Sequence, residues 1–347
     1  MSGDIHIRRD GCAGRITLSR PDALNALTWK MCLAIEDALD QWQNDDTVKL
    51  LVIDAEGERA FCSGGDIAEM YASGLRGDFD YGRRFWADEY RMNAKMFEFP
   101  KPVVSFLQGY TMGGGVGVGC HGSHRIVCES SQIAMPECGI GLVPDVGGSL
   151  LLARAPGRLG EYLGVTCARM GPGDAIYCGF ADYFIPEDRW EALKTDLMKT
   201  GDWTLVDAAA MRADPGPLEE RAPHINAHFG GETLKDIITA LNSAGDTATL
   251  DKIARNAPLS TASTIELIHR VRQRDDIRFA LTQEFRFTSR SMEHADFIEG
   301  IRAAIIDRDR SPKWRHADPR EVSIHETAQM LMPLGANELS FERRTAT

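Results

Sequence analysis

The sequence predicts an α/β protein whose second half is mostly helical. Three observations favour this class. Short apolar runs typical of buried strands alternate with helix-period segments in the first half, a glycine-rich turn follows one of these runs, and helical periodicity dominates from Arg189 onward. We therefore expect an α/β core over residues 1–200 and a helical region over residues 201–347.

Local signals place the individual elements. The Asp10-Gly11 pair predicts a hairpin, Thr28 is a good N-cap for a helix, and Pro100 ends the long helix before it. The final residues, 337–347, read as a loose tail. The predicted strands are 5–9, 15–18, 50–53, 103–107, 124–127 and 132–134, and the predicted helices are 29–42, 81–99, 146–155, 157–165, 172–177, 190–199, 205–211, 234–241, 247–255, 260–274 and 277–290.

Composition is that of an ordinary globular protein and argues against nucleic-acid binding. Lys and Arg number 39 against 51 Asp and Glu, so the formal charge of −12 provides no basic surface for phosphates. The apolar runs are too interrupted for a transmembrane helix, and the eight Cys have the spacing of neither a zinc site nor a disulfide framework. We expect reduced thiols, no metal, and a cytoplasmic location, or the mitochondrial matrix if a presequence has been removed.

Two glycine-rich segments can present backbone N–H groups to a ligand. Ala60–Ile67 (AFCSGGDI) follows a predicted buried strand, and Gly113–Gly117 (GGGVG) lies between another strand and a helix. Each has a structural alternative, which is a simple turn for the first and close helix–strand packing for the second. The second segment lacks the G-x-G-x-x-G pattern because residue 118 is Val, so a dinucleotide site is weakly supported.

A third segment, Pro136–Gly148 (PECGIGLVPDVGG), places two carboxyl groups in an apolar run. Carboxyl groups in such surroundings can have raised pKa values and act as acid, base or nucleophile. Asp145 has a structural alternative as a helix N-cap, whereas Glu137 has none, because an unpaired buried carboxylate is costly. Together with exposed backbone N–H groups, these residues can stabilise an oxyanion while an acyl carbonyl is attacked.

In this order, the three segments resemble the crotonase superfamily, as does Arg20–Leu27 (RPDALNAL). The resemblance covers more than half of the chain and implies a spiral of ββα units that binds a coenzyme A thioester. It also implies that the backbone N–H groups of Gly65 and Gly114 bind the thioester oxygen. Asp66 and Ile67 are then expected to line the CoA channel.

Other segments resemble one subfamily. Hydratases of the superfamily carry a Glu at the position of Gly117, so addition of water to a double bond by a pair of Glu residues is not expected here. Segments similar to 3-hydroxyisobutyryl-CoA hydrolases extend the resemblance to nearly the whole chain, and they are Glu89–Asn93 (EYRMN), His121–Arg125 (HGSHR), Pro144–Gly148 (PDVGG), Asp296–Ala303 (DFIEGIRA) and Asp307–Trp314 (DRDRSPKW).

The hydrolase resemblance implies roles for three carboxyl groups. Glu137 either attacks the thioester carbonyl or acts as general base on water, and the sequence leaves both routes open. Asp145 binds the 3-hydroxyl of the substrate or helps to position water, and Glu89 is a second polar contact for the acyl group. Cys138 and Cys167 depart from the family pattern, where Thr and Gly are usual.

The implied activity is hydrolysis of 3-hydroxyisobutyryl-CoA, a step of valine breakdown, with no cofactor beyond the CoA of the substrate. The alternatives are an enoyl-CoA hydratase or isomerase, a non-catalytic acyl-CoA-binding relative, and hydrolysis of a related ester such as 3-hydroxypropionyl-CoA. No nucleic-acid or membrane partner is expected, and a homo-oligomer stays open.

Overall fold

The structure is a computed structural model that describes residues 3–343, and the strands among these residues form two sheets. The strands are β1 Ile5–Asp10, β2 Ala13–Leu18, β3 Leu50–Ala55, β4 Ala60–Cys62, β5 Val103–Phe106, β6 Tyr110–Met112, β7 His124–Val127, β8 Gln132–Ala134 and β9 Tyr183–Phe184. The larger sheet has the order β1-β2-β3-β5-β7-β9, and the smaller one has the order β4-β6-β8.

Successive strands alternate between the two sheets. β3, β5 and β7 lie in the larger sheet, and the strand that follows each of them lies in the smaller sheet. Every pairing is parallel except β1 with β2. Each pair of strands is followed by helical chain, so the repeating unit is ββα, and the predicted crotonase-type spiral is confirmed.

A two-residue hairpin forms the edge of the larger sheet, as predicted. β1 and β2 pair with Asp10 opposite Ala13, which leaves Gly11 and Cys12 as the loop. Gly11 has a φ of +56°, a left-handed conformation that glycine adopts without the steric cost of a Cβ atom. A Cβ at this position would also lie 2.2 Å from the carbonyl oxygen of Met198.

The inner strands of the larger sheet are mostly apolar because most of their residues are buried. β3 reads LLVIDA, and only its last residue is partly exposed. Parallel strands covered by helices have such continuous apolar runs. A cluster of buried side chains beside this sheet consists of Ala13, Leu50, Val52, Val104, Phe106, Ile126, Cys128, Ile185, Trp190, Leu193, Leu197 and Val206.

The described residues group into two compact units. The first unit contains the strands and comprises the described residues up to 66 with residues 91–134 and 169–219. The second comprises residues 67–90, residues 135–168 and the described residues from 220 onward, which are helical or irregular. Residues 135–168 thus group with the C-terminal helices, while a division of the chain at residue 200 stays a prediction.

Each predicted helix is present and differs from its predicted bounds by a few residues at the ends. Thr28 caps the first one by accepting a hydrogen bond from the backbone N–H of Met31, as predicted. The helices are α1 Trp29–Trp42, α2 Ala68–Leu75, α3 Asp80–Phe97, α4 Gly114–Gly119, α5 Gly148–Arg154, α6 Leu159–Thr166, α7 Pro172–Tyr177, α8 Trp190–Thr200, α9 Thr204–Ala209, α10 Pro217–His228, α11 Leu234–Ala244, α12 Thr247–Ala254, α13 Pro258–Arg272, α14 Ile277–His294, α15 Phe297–Ile301 and α16 Ile324–Met330. Of these, α2, α4, α10, α15 and α16 were not predicted.

The prediction of a loose tail is wrong for the part of it that the structure describes. Glu338 forms an ion pair with Arg286 at 2.8 Å, and Leu339 is buried. These contacts tie the segment to α14 by charge and by apolar burial, which the short, mixed sequence did not indicate. Residues 344–347 lie outside the described part of the chain.

Candidate active site

Glu137 lies in a short 3₁₀ turn, Glu137–Ile140, that directly follows β8 in the sequence. Two glycines hold this turn against the segment that begins at Asp296. A Cβ atom at Gly141 would lie 2.5 Å from the carbonyl carbon of Asp296, and one at Gly300 would lie 2.1 Å from the carbonyl oxygen of Ile140. Only glycine permits this close approach. The Glu137 side chain is 5% exposed, and its Oε2 has no hydrogen-bond partner among residues 3–343.

Asp145 lies in a tight turn before α5. The next residue, Val146, has a φ of +54°, and Gly147 has a φ of +81°. A β-branched residue is rarely found in this left-handed region, and its strain is typical of functional turns. The N-cap residue of α5 is Gly147, which has no side chain to cap the helix, so the interpretation of Asp145 as the N-cap is wrong. Its Oδ2 instead accepts a hydrogen bond from the hydroxyl of Tyr90 at 2.6 Å.

Glu89 is the third carboxyl group of this cluster. It lies on α3, immediately before Tyr90, and is 4% exposed. Its Oε1 atom has no hydrogen-bond partner in the described part of the chain. Native proteins pair nearly all buried polar atoms, so unpartnered carboxyl oxygens on both Glu89 and Glu137 indicate groups that meet a ligand or water.

The electrostatics of the cluster favour protonated carboxyl groups. Burial, and then the charge of Asp145, raise the pKa of Glu137 and of Glu89 well above their ordinary values. Burial also raises the pKa of Asp145 to about 7, although the hydrogen bond from Tyr90 opposes that change. Carboxyl groups with pKa values near neutrality can give and take protons at physiological pH.

Two carboxyl groups that share a buried site cannot both ionise easily, so one holds a proton while the other acts as base or nucleophile. Within residues 3–343, none of Glu89, Glu137 and Asp145 forms an ion pair with a cationic side chain that would neutralise it. The structure therefore brings together the three carboxyl groups that the sequence singled out.

The two backbone donors singled out from the sequence lie close to each other in the first unit. Gly65 and Gly114 follow the neighbouring parallel strands β4 and β6. A Cβ atom at Gly64 would lie 3.9 Å from the backbone nitrogen of Gly114, so the two loops are in contact. In the part of the chain that the structure describes, neither the Gly65 N–H nor the Gly114 N–H donates to another group.

Free N–H groups on two loops in contact are the kind of donors from which an oxyanion site is built. Gly113, with a φ of +49° and a ψ of −120°, has a conformation that needs glycine. Gly115 allows its backbone to pack against the carbonyl oxygen of Cys62, which a Cβ atom would approach to 2.3 Å. Gly117 is buried within α4 and brings no carboxyl group to this helix.

Asp66 and Ile67 lie where β4 leads into α2. The carboxylate of Asp66 accepts a hydrogen bond from Arg20 at 3.0 Å, and about a third of its side chain is exposed. Ile67 is the N-cap residue of α2. Their position beside Gly65 in the sequence agrees with the expectation that they line the CoA channel, which stays a prediction.

Sequence reasoning missed two residues that contact the Asp145 turn. Tyr90 follows Glu89 directly and is completely buried. Glu284 lies on α14 and accepts hydrogen bonds from the backbone N–H groups of Gly147 and Ser149. A signal for Glu284 did exist, because it shares the apolar face of a helix with Leu281 and Phe287, where a carboxyl group is unexpected.

The two departures from the family pattern have local explanations. Cys138 is buried, and its thiol lies 3.2 Å from the hydroxyl of Thr264, so it makes a polar contact that Thr would also make. Cys167 has a φ of +55°, a conformation in which glycine is the usual residue. Neither departure removes a carboxyl group or an N–H donor from the candidate site.

The eight cysteines are all free thiols. Among residues 3–343 there is no group of three or more His, Cys, Asp or Glu side chains with the arrangement of a metal site. None of the helices described in this part of the chain has the length and apolarity that crossing a bilayer requires.

Repeated ββα units and a buried carboxyl cluster define an α/β protein of the crotonase type. The sequence matches the family described as enoyl-CoA hydratase/isomerase over residues 13–331. Curated relatives from Gallus gallus and Homo sapiens, both named 3-hydroxyisobutyryl-CoA hydrolase, mitochondrial, are 34% identical to it, and these matches cover 97% of this chain and 91% of each relative. The chain therefore belongs to the enoyl-CoA hydratase/isomerase family, and the resemblance to 3-hydroxyisobutyryl-CoA hydrolases is confirmed.

Solved structures agree on the fold. A structure from Rhodobacter sphaeroides, titled enoyl-CoA hydratase, is 54% identical with a TM-score of 0.93 and covers 97% of this chain and 99% of that chain. A structure from Mycobacterium thermoresistibile, titled carnitinyl-CoA dehydratase, is 38% identical with the same TM-score and covers 98% and 99%. The names attached to similar proteins thus cover both thioester hydrolysis and chemistry at a carbon–carbon double bond.

Proposed function

We propose that this chain is an acyl-CoA thioester hydrolase that converts 3-hydroxyisobutyryl-CoA to 3-hydroxyisobutyrate and free CoA. The observation that carries the proposal is the buried cluster of Glu89, Glu137 and Asp145, in which two carboxyl groups have unpartnered oxygens. The names of the curated relatives support this substrate. The CoA thioester is the common substrate class of the family.

In the proposed reaction, the N–H groups of Gly65 and Gly114 bind the thioester oxygen as it becomes negative. Each such donor is typically worth about 2.7–4 kcal/mol in the transition state. A C–O bond forms at the acyl carbon, the C–S bond breaks, and the sulfur leaves as CoA thiolate. Water supplies the oxygen of the new carboxyl group and the proton that converts the thiolate to a thiol.

Glu137 has two routes to this outcome. It attacks the carbonyl to give an acyl-enzyme anhydride that water then opens, or it takes a proton from the attacking water. A single turnover in ¹⁸O-labelled water addresses this choice. Unlabelled product together with ¹⁸O in the Glu137 peptide indicates an anhydride opened at the Glu137 carbonyl.

Asp145 and Glu89 give the site its preference for a hydroxylated acyl group in this proposal. A substrate hydroxyl placed beside them donates to one carboxyl group and accepts from another that holds its proton. A site built to bind a hydroxyl group rejects analogues that lack it, because its own polar groups are then left unpaired. The sequence does not separate 3-hydroxyisobutyryl-CoA from 3-hydroxypropionyl-CoA, since one methyl group is worth only about 1–3 kcal/mol.

A second candidate function, hydration of an enoyl-CoA, is favoured by the titles of the similar structures. That reaction uses a pair of Glu residues in the hydratases that the sequence resembles, and Gly117 stands where the first of them is expected. A third candidate, a non-catalytic acyl-CoA-binding protein, does not account for buried carboxyl groups whose pKa values are raised by burial.

The test compares three esters at equal concentration. Thiol release is measured from 3-hydroxyisobutyryl-CoA and from isobutyryl-CoA, which differs only by the hydroxyl group, and hydration of crotonyl-CoA is followed by absorbance. We expect fast thiol release from the hydroxy ester, release at least about tenfold slower from isobutyryl-CoA, and no hydration. Hydration of crotonyl-CoA without thiol release from either ester contradicts the proposal.

The pathway and the cellular compartment are inferred from the proposed substrate and from the names of the relatives. We propose a role in valine breakdown, in the cytoplasm or, as the names of several relatives state for those proteins, in mitochondria. The assembly state stays open between a monomer and a homo-oligomer. Size-exclusion chromatography with light scattering of the purified chain decides between them.

A further inference from the structure

The turn that carries Asp145 is attached to a buried carboxyl group on α14. Glu284 is fully buried, and its Oε2 accepts a hydrogen bond from the backbone N–H of Gly147 at 2.9 Å. Its Oε1 accepts one from the backbone N–H of Ser149 at 3.1 Å and another from the Ser149 hydroxyl. The side chain of Glu284, more than 130 residues away in the sequence, therefore accepts three hydrogen bonds from the turn.

This turn needs to be held, because its backbone is strained. Val146 and Gly147 are both in the left-handed region, which is sterically unfavourable for a residue with a Cβ atom such as Val146. The carbonyl oxygen of Asp145 accepts a hydrogen bond from Gly148 at 2.6 Å, which closes the turn locally. Conformations of this kind persist only when surrounding contacts fix them, and Glu284 supplies such contacts.

The same helix also supports the side chain of Asp145. Thr288 lies one helical turn after Glu284, and its Oγ1 is 3.4 Å from the hydroxyl oxygen of Tyr90. That hydroxyl donates to the Oδ2 of Asp145 at 2.6 Å. One face of α14 thus holds the residues that follow Asp145 through Glu284, and it contacts Tyr90, which orients the carboxyl group of Asp145.

We propose that Glu284 is a positioning residue, which holds the carboxyl group of Asp145, together with Tyr90, in the place where it receives the hydroxyl group of the substrate. The proposal rests on the function proposed above and identifies which residues outside the reacting groups determine the preference for hydroxylated acyl chains. Glu284 need not touch the substrate, since its contacts are to the turn.

A purely structural role makes a different prediction. If Glu284 only stabilised the start of α5, its loss would lower the folded fraction and reduce turnover of every ester in proportion. If it positions Asp145, its loss affects the ester that needs Asp145 far more than an ester without a hydroxyl group. The ratio of the two specificity constants, kcat/KM, separates these roles.

The experiment measures kcat/KM for 3-hydroxyisobutyryl-CoA and isobutyryl-CoA in the wild type, Glu284→Gln and a control. Gln keeps the shape but replaces one acceptor oxygen by an NH₂ group that faces a backbone N–H. We expect kcat/KM for the hydroxy ester to fall about tenfold to a hundredfold and that for isobutyryl-CoA to change less than about threefold. The matched control is Glu161→Gln, another fully buried carboxyl group of the same unit, which binds Arg272 and does not contact the turn.

The proposal is overturned if kcat/KM falls by the same factor for both esters in Glu284→Gln. It is also overturned if the ratio of the two kcat/KM values shifts as much in Glu161→Gln as in Glu284→Gln. If Glu284→Gln does not fold, Tyr90→Phe is judged by the same ratio, since Phe keeps the ring packing and removes only the hydroxyl. An unchanged ratio in that variant also overturns the proposal.

Amide hydrogen exchange of residues 145–149 gives a readout that does not depend on activity. Faster exchange at Gly147 and Ser149 in Glu284→Gln supports the attachment, and unchanged exchange contradicts it. If the wild type hydrolyses neither ester, the proposed function fails, and the exchange result still decides whether Glu284 holds the turn.

Discussion

The hydrogen bond from Tyr90 to Asp145 sets the charge state of one member of the buried cluster. The groups facing Asp145 are Glu89, Glu137, Glu284 and Tyr90, and its carboxyl group accepts a hydrogen bond from the hydroxyl of Tyr90 and a weaker one from its own backbone N–H. Donation of a hydrogen bond favours the ionised form of a carboxyl group, whereas burial favours the protonated form. The pKa of about 7 for Asp145 is the balance of these effects, with burial the larger.

Replacement of Tyr90 by Phe is expected to move the pH dependence of the reaction. Loss of the donor leaves the ionised form of Asp145 less stable, so its pKa rises above about 7. The acidic limb of the profile of kcat/KM against pH for 3-hydroxyisobutyryl-CoA should therefore shift to higher pH. If the acidic limb of this profile lies at the same pH in Tyr90→Phe as in the wild type, ionisation of Asp145 does not control it.

At the residue scale, the sequence predicted the carboxyl groups of the site better than the residues that support them. Glu137 and Asp145 stand out because carboxyl groups are unexpected in an apolar, glycine-rich run. Glu284 is far away in the sequence, and its contact with the turn depends on tertiary packing that no local pattern encodes. The strain at Val146 was equally invisible, since Val is common in ordinary strands and loops.

At the scale of elements, two glycines determine where the Glu137 turn can lie. Gly141 packs on the backbone of Asp296 and Gly300 on that of Ile140, so the turn and the start of α15 approach as closely as backbones can. The downstream segment with the sequence DFIEG thus packs directly on the segment that contains Glu137. This downstream segment supports the 3₁₀ turn that carries Glu137.

Replacement of Gly300 by Ala is expected to move this turn and to destabilise the fold. A Cβ atom 2.1 Å from the carbonyl oxygen of Ile140 cannot be accommodated unless one of the two backbones moves. We expect a loss of about 3 kcal/mol or more in the free energy of unfolding, measured by urea denaturation, and loss of thiol release. Gly171→Ala is the control, because a Cβ atom there meets nothing within 4 Å. Equal stability of the two variants would contradict this account.

Helices and strands were predicted correctly where they are long enough to show a hydrophobic period in the sequence. The long helices and the buried strands of the larger sheet were predicted, because they extend over enough residues to show a pattern. Strands of two or three residues are too short to show alternation reliably, so β4, β6 and β9 were missed, although β8, of the same length as β4, was predicted. Pro223 lies inside α10, which explains why that helix was not predicted.

At the scale of the whole molecule, the carboxyl cluster couples stability to pH. An acid whose pKa is raised in the folded chain binds its proton more tightly when folded. Its protonated form therefore stabilises the fold at low pH, and this stabilisation is lost as the pH rises from the unfolded pKa to the folded one. For Asp145 this window runs from about 4 to about 7.

The variant Asp145→Asn is expected to be more stable than the wild type at high pH. Asn keeps an oxygen that accepts the hydrogen bond from Tyr90 but carries no charge. Its gain in the free energy of unfolding over the wild type should be about 1–3 kcal/mol larger at pH 8 than at pH 5. The control is Glu266→Gln on the exposed face of α13, for which we expect the same difference at both pH values. A gain for Asp145→Asn that does not vary with pH would contradict the proposed burial of this charge.

The most direct test of the central claim is the activity of Glu137→Gln with 3-hydroxyisobutyryl-CoA. Gln keeps the shape of the side chain but can act neither as nucleophile nor as base. We predict that thiol release falls at least about a hundredfold, while the affinity for the ester, measured by calorimetry, changes less than about threefold. Thiol release within a few fold of the wild type would contradict the assignment of Glu137 and, with it, the proposed mechanism.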